Sequence, residues 1–304
     1  MKKTANSYYT QEFWNFQKGN AYNQAMLHSI PQPDESAAIL PDETLAKFRA
    51  EQAKMNIFRN IATVMYIGSA EKRIKTLPPA GIADFVPESW AILENIASVT
   101  PFNIESYKIA KLTKMSNETL RDSGFDLEAA LVTDFGRAFG LVEERGIING
   151  TGVNQPYGLL HDTEGAEVGV TATGTLTFDH VHQLFFNLAA EYRRSACWLM
   201  SNETALFVRT LKDSTGGYIW NDFDNSIFGK PVYTSPYMPP IGAGNILILF
   251  GDFSFLWLME RAGIIIKPLI ERYAVDNMVG YIATEFIDAR LVEREAVKGL
   301  VIAE

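Results

Sequence analysis

The sequence is poor in the residues most often recruited for chemistry. Among 304 residues there is one cysteine, Cys197, and there are four histidines, His28, His161, His180 and His182. A lone thiol excludes an intrachain disulfide framework and suits synthesis in a reducing compartment. Cys197 stands between Ala196 and Trp198 in an apolar run, where a small buried thiol is the expected role. Positive charge is also in short supply, with 27 Lys and Arg against 36 Asp and Glu and a formal net charge of −9. Lys72, Arg73 and Lys75 make only a short, dilute cluster. An acidic surface of this kind argues against sequence-independent binding of nucleic acid. Long apolar runs are missing as well: residues 246–250 and 263–266 are the most apolar, far below the roughly 20 residues that span a bilayer. Met1-Lys2-Lys3 leads into a segment too polar for a signal peptide. The expectation is a soluble, unexported protein with no membrane partner.

What is present is an ordinary globular balance, 47% hydrophobic and 21% charged, enough for one large domain or two intertwined ones. The first forty residues look loosely organised, broken by Pro31, Pro33 and Pro41. They nonetheless carry Tyr8, Tyr9, Phe13, Trp14, Phe16 and Tyr22, more aromatics than a disordered tail holds. Two readings stay open: an arm ordered by packing on another subunit, or a short helix packed on its own domain.

From Pro41, acidic residues in a first turn predict a helix to about Asn60, and 61–67 reads as a strand. Residues 68–100 show no sustained period. A connection that long is usually functional, and its natural form is a two-stranded excursion. Residues 102–111 alternate as a half-buried strand. Ser116 caps a short turn, and Asp126 begins a helix ending near Gly146, with Leu127, Leu131, Phe135, Ala138, Phe139 and Val142 as its apolar stripe. A second helix is predicted from Phe178 to Arg194 with Thr177 as N-cap. A buried strand at 197–200, a helix at 202–211, a turn at 213–217, a buried strand at 246–250 and a short helix at 253–260 follow. Strand-like pieces fill 264–302. This order, without βαβ repetition, makes the class α+β.

A search for chemistry finds little. His180 and His182 fall in the first turn of a helix, about 200° apart around its axis, with no third ligand in step. The glycine-rich loop 149–156 follows a helix and lacks the lysine of a phosphate loop, so it reads as a tight turn. Glu143 and Glu144 read as a solvated pair on a helix exterior. No nucleophile elbow is present, and Cys197 has no histidine partner. The sequence offers no catalytic, cofactor-binding or metal-binding residues, so no enzyme is expected.

Several motifs nevertheless fall in a characteristic order. They are Ala83-Asp84-Phe85-Val86-Pro87-Glu88; Lys108-Ile109-Ala110-Lys111-Leu112, then Ser116-Asn117-Glu118-Thr119-Leu120-Arg121-Asp122-Ser123; and Glu143-Glu144-Arg145-Gly146-Ile147-Ile148-Asn149-Gly150-Thr151-Gly152, continued by Gln155-Pro156-Tyr157-Gly158-Leu159-Leu160. Farther on come Trp198-Leu199-Met200-Ser201, Leu211-Lys212-Asp213, Gly217-Tyr218-Ile219, Gly229-Lys230-Pro231-Val232 and Gly251-Asp252-Phe253-Ser254. In this order and spacing, from about Ala37 to the C-terminus, the chain resembles the tailed-phage major capsid proteins of the Hong Kong 97-like fold.

The resemblance implies an N-terminal arm (1–40) lying on a neighbour and a peripheral domain (41–65 and 101–152) with a spine helix at 126–146. It further implies an extended loop (66–100), an axial domain (153–270), and a return to the peripheral sheet with a C-terminal strand (271–304). The implied function is structural: a subunit forming pentamers and hexamers of an icosahedral phage or prophage head around double-stranded DNA, without sequence-specific binding. A scaffolding protein, a maturation protease and a portal are the implied partners, with synthesis in a bacterial host's cytoplasm and residence in the virion. About forty residues precede the match, which implies a trimmed product or a separate scaffold. Asn277 resembles an asparagine that at least one member of this family cross-links to a loop lysine on another subunit. Residues 89–92 (Ser-Trp-Ala-Ile) hold no lysine, so Asn277 reads as a turn or sheet-edge residue. An encapsulin-like bacterial compartment shares the fold and is the alternative; an enzyme with an unrecognised site is a more distant one.

Overall fold

The computed structural model describes residues 6–27, 38–68, 73–76, 100–122, 124–212, 215–220 and 225–303. The chain opens with α1 (Ser7–Gln17), capped by Asn6, whose side chain accepts from the Tyr8 N–H. Then come α2 (Gln24–Leu27), β1 (Ala38–Ile39), α3 (Asp42–Met55), α4 (Phe58–Ile61) and β2 (Thr63–Ile67). Asp42 and Glu43 sit in the first turn of α3, where the helix dipole favours negative charge. The helix expected to reach Asn60 is interrupted at Asn56, whose extended backbone ends α3 before α4 begins.

β3 (Arg73–Thr76) and β4 (Thr100–Asn103) pair antiparallel with each other and with no other strand among the described residues. The rest of the segment expected to form an excursion, 77–99, lies outside the described residues. The motif at 83–88, residues 89–92 and His28 lie outside the described residues. β5 (Tyr107–Ser116) leads to α5 (Asn117–Arg121), capped by Ser116, and to α6 (Leu127–Asn149), capped by Asp126. α6 runs past Gly146 and ends where the Gly150 N–H bonds to the Gly146 carbonyl at 2.9 Å. Gly146 is therefore not the stop. The close neighbour of α6 is α3: a Cβ on Gly136 would sit 2.8 Å from Glu51 Cβ, and one on Gly140 2.7 Å from the Gln52 carbonyl. Only glycine lets the two helices approach this far.

Next come β6 (Glu167–Ala172), α7 (Phe178–Asn187), α8 (Ala190–Arg193), β7 (Cys197–Met200), α9 (Asn202–Thr210), β8 (Ser226–Ile227) and β9 (Lys230–Thr234). The helix expected from Phe178 to Arg194 is two helices. Leu188 takes an extended backbone, and Arg193 Nη2 donates to the freed carbonyls of Leu188 (2.7 Å) and Phe186 (3.3 Å). That guanidinium satisfies the orphan acceptors of the helix end. The chain closes with β10 (Ile246–Gly251), β11 (Leu256–Leu269), β12 (Met278–Leu291) and β13 (Val297–Ile302). The helix expected at 253–260 is a single 3₁₀ turn, Phe253–Phe255, which passes directly into β11.

Two sheets organise the molecule. One has the order β1-β11-β12-β5, with β2 parallel to the first half of β11. The other has the order β6-β13-β10-β7-β9-β8. Both mix helices with sheet, as the α+β expectation requires. Tyr9 and Phe13 are fully buried beside Phe48, Phe135, Ile266 and Tyr281. Tyr9 donates from its hydroxyl to the Ile39 carbonyl, and Gln17 Nε2 to that of Ile266. Thus α1 packs on its own chain, the second of the two readings for the aromatic N-terminus. A third core, containing Phe58, Ile147, Leu199, Leu249, Leu258 and Ile287, lies between the sheets and joins them. Alternate residues of β7 point to different cores, Trp198 and Met200 to one and Cys197 and Leu199 to the other. A strand covered on both faces reads as a continuous apolar run.

Candidate assembly surface and the buried charge cluster behind it

The densest polar constellation is buried, not exposed. Glu143 from α6, Glu260 from β11 and Glu285 from β12 are each almost wholly buried. They converge on Arg59 from α4 and Arg49 from α3. Arg59 donates through Nε and Nη2 to the two oxygens of Glu143 (2.7 and 2.6 Å) and through Nη1 to Glu260 (2.7 Å). Arg49 bonds Glu260 at 2.5 Å and also pairs with Glu285. Gln52 donates to Glu143 and Glu285, and Asn56 to Glu143. Burial opposes charging Arg59, but Glu143, Glu285 and Glu260 outweigh it and raise its pKa. Burial raises the pKa of Glu143 and Glu260 despite the opposing guanidinium groups. Three carboxylates facing two guanidinium groups leave one negative charge in excess, and Glu285 adds a smaller lift to the one that burial gives Glu143 and Glu260.

Glu144 is buried separately: its carboxylate accepts from Ser235 Oγ (2.5 Å) and the Ile57 N–H (3.1 Å). The expectation of a solvated pair is therefore overturned. Glu143 and Glu144 are 1% and 2% exposed, because α6 is sandwiched between α3 and the sheets. Conversely Val142, assigned to the stripe, is 39% exposed.

A further buried carboxylate holds the segment between the excursion and the body sheet. β5 stops pairing with β12 at Tyr107↔Ile287. Beyond that point Asp288 Oδ2 accepts from the Glu105 N–H at 2.9 Å, and Oδ1 from the Ala289 N–H at 2.8 Å. Burial pushes Asp288 from 3.8 up to about 6, against these two N–H donors and Arg290. The folded protein thus binds this proton more tightly than the unfolded chain. Its stabilising contribution is complete below about pH 4 and is lost as pH rises through about 6, amounting to about 3 kcal/mol. Urea titrations of wild type and Asp288→Asn between pH 4 and 7 test this. The wild-type stability should fall across that window more steeply than the variant's, and parallel curves would refute the assignment.

The other singled-out residues have structural partners. His180 Nδ1 accepts from the Thr177 N–H at 3.2 Å, while the His182 ring packs 4.4 Å from that of Phe228. The two rings serve different contacts, and no group of His, Cys, Asp and Glu among the described residues is arranged to hold a metal. His161 Nδ1 accepts from the N–H groups of Thr163 and Glu164. The glycine-rich loop is a tight turn closed by the Thr151↔Tyr157 bridge, with Gly152 and Asn154 at positive φ. Burial, then Asp252, pushes the Cys197 thiol up to about 12, far from a reactive thiolate. Asn277 is a turn residue at φ 53°, its carbonyl accepting from the Asn117 N–H. Phe228 also has positive φ, at 52°. Phe178, His182 and Phe185 surround its ring, and that packing holds it in a conformation that bulky residues avoid.

Large apolar side chains stand exposed in separate places: Tyr66, Val153, Phe186, Leu206 and, fully exposed, Val275. They lie singly on β2, α7, α9 and two loops, not as one contiguous patch. Among the described residues no helix is long and apolar enough to cross a membrane.

Comparison with known proteins follows the same direction. The profile of the phage capsid family matches residues 37–302. The capsid of a native GTA particle is similar at 24% identity and TM-score 0.67, covering 93% of this chain and 100% of the other. A structure from Mycobacterium phage Adephagia is similar at 13% identity and TM-score 0.58, covering 82% and 90%. The mature capsid of bacteriophage PhiM1 is similar at 11% identity and TM-score 0.52, covering 81% and 87%. No curated protein matches the chain. The chain belongs to the phage capsid family and is a major capsid subunit with the Hong Kong 97-like fold.

Proposed function

We propose that copies of this chain join as pentamers and hexamers into a closed icosahedral head around double-stranded DNA, serving as structure and not as an enzyme. The match of residues 37–302 to the capsid family carries this reading. The paired strands β3 and β4 support it: they leave the body as a ribbon of their own, a form that a neighbouring subunit can complete. In this assignment 66–100 is the extended loop, 41–65 with 101–152 the peripheral domain, 153–270 the axial domain and 271–304 the returning strands. A scaffolding protein, a maturation protease and a portal would act on the assembling shell, after synthesis in a bacterial host's cytoplasm. The packaged DNA would meet an acidic chain of net charge −9, which keeps the wall from binding it tightly.

The test is to express the chain alone and with a scaffold, then examine both by size-exclusion chromatography and negative-stain microscopy. Rings, sheets or shells are expected in at least one preparation. A strictly monomeric protein in both would overturn the proposal.

A further inference from the structure

We propose that Asp288 is a proton-operated clasp at the root of the β3–β4 ribbon, closed on the link 104–106 when its carboxyl is protonated and loosened when it ionises. The clasp works within one chain, so its test needs no assembled shell.

β4 ends at Asn103 and β5 starts at Tyr107, so three residues carry the chain from the ribbon to the body sheet. The ribbon strands pair only with each other among the described residues, and β5 ceases to pair with β12 at Tyr107↔Ile287. No ladder fixes the link. Side chains reach it instead: the Glu105 N–H donates to Asp288 Oδ2 at 2.9 Å, and the Tyr107 hydroxyl donates to Glu105 Oε2 at 2.6 Å. A short link held in this way can open without the rest of the fold, and such links serve as hinges.

Thr284, Phe286, Asp288 and Arg290 alternate onto one face of β12. The other three are half-buried and Asp288 is buried, at the place where the link meets the strand. Continuing the β5–β12 register by one residue sets Ser106 opposite Asp288, on that same face. The Ser106 hydroxyl is buried and has no hydrogen-bond partner among the described residues. An ionised carboxylate only accepts, whereas a protonated one has an O–H that needs an acceptor. Ser106 Oγ is the unused acceptor beside it.

The charges around Asp288 do not hold it ionised. On its own strand Arg290 is engaged by Glu164 at 2.5 Å. On β11 its direct partner is the uncharged Met259, with Arg261 one pair along on the same face, and on β5 the matching position is the exposed Lys108. The link itself brings the Glu105 carboxylate. Burial, then Glu105, hold the Tyr107 hydroxyl above its ordinary range, so it stays a donor. Burial outweighs the two N–H donors and Arg290 at Asp288, which is pushed up to about 6. Opening the link returns this carboxyl to water and to its ordinary value. Closure is therefore fully favoured below about pH 4 and weakens as pH rises through about 6. The result is a ribbon root that stiffens on acidification.

The experiment follows hydrogen exchange of the amides of 104–107 in the unassembled chain at pH 5 and 7.5, corrected for the intrinsic pH dependence of exchange. Wild type, Asp288→Asn, Asp288→Ala and Ser106→Ala are compared, with circular dichroism confirming that each variant folds. In wild type these amides should be less protected than those of α6, and their protection should fall about tenfold between the two pH values. Asparagine has the acceptor and the donor of a protonated aspartate without its charge, so Asp288→Asn should keep the pH 5 protection at pH 7.5. Asp288→Ala should show weak protection at both. Ser106→Ala should move the midpoint of the wild-type change to lower pH. Wild-type protection that does not change with pH, or an equal change in Asp288→Asn, would overturn the clasp. So would protection of the link equal to that of α6 at both pH values, because the link would then open only with the whole fold. A midpoint that rises in Ser106→Ala would make the hydroxyl a donor to the ionised carboxylate and overturn its part in the clasp.

Discussion

Replacing Arg59 by methionine is expected to cost about 3–5 kcal/mol of stability, because it strips the buried glutamates of a central partner. Arg59 contacts Glu143, Glu260 and Glu285, which come from three different elements. Without it the three carboxylates face Arg49 alone, and Arg49 does not bond Glu143. Methionine keeps the volume of the stem, so the loss reports the charge and its hydrogen bonds rather than a cavity. Unfolding in guanidinium, followed by circular dichroism, should show the midpoint falling and the thermal transition dropping by roughly 10 °C. Adding Glu143→Gln to the same chain should recover part of the loss, since it removes one uncompensated charge. A loss under about 1 kcal/mol for Arg59→Met would mean that the cluster is effectively solvated, against the burial described above. The cluster ties α3, α4, α6, β11 and β12 together. Its loss should therefore loosen the packing of α6 and reduce the yield of assembled particles at elevated temperature.

Trp198→Ala is expected to do comparable damage in the other sheet. The indole is fully buried, stacks on Phe250 with ring centroids 4.0 Å apart, and donates from Nε1 to the Ile227 carbonyl at 3.0 Å. Truncating a buried tryptophan typically costs about 3–5 kcal/mol, and here the Ile227 acceptor is left unpaired as well. The damage should be local to the sheet containing β7. Hydrogen exchange should rise in β7, β8 and β9, where Trp198 touches the Phe228 turn, and much less in β12 and β5. Trp198→Phe should keep most of the stacking and lose the hydrogen bond, a cost nearer 1 kcal/mol. Uniform loss of protection across both sheets would instead mean that the core joining them transmits the defect to the whole molecule.

Much of the architecture could be read from local chemistry. The strand at 197–200 and the helix beginning at Asn202 appear as expected, because a continuous apolar run and a serine cap act over a few residues. Asp126 as the cap of α6, and the self-paired ribbon base between 73 and 103, were equally legible. Glu143 was misassigned although a signal was present. The stripe Leu127, Leu131, Phe135, Phe139 advances by four, and the next two positions are Glu143 and Ile147. The charge of glutamate led to a solvent assignment, while the period pointed inward. That conflict between chemistry and period is itself the mark of a buried, paired carboxylate.

By itself, then, the sequence determined the class of the protein, the scarcity of its cysteine and histidine, the caps and runs of its elements, and the ordered motifs that carry the family resemblance. Each of these rests on composition or on interactions within a few residues. Only the tertiary structure decided that the N-terminal aromatics complete their own chain's core, since Tyr9 and Phe13 need β1, α6 and β12 around them. It alone turned residues 256–260 from an expected helix into strand, because β2 and β12 flank β11 on both sides and ladder pairing outweighs local helix preference. It alone brought Arg49, Arg59, Glu143, Glu260 and Glu285 together from positions up to 236 residues apart. Contacts between residues so distant in the chain leave no periodic trace in it, and they exist only once the helices and both sheets are packed.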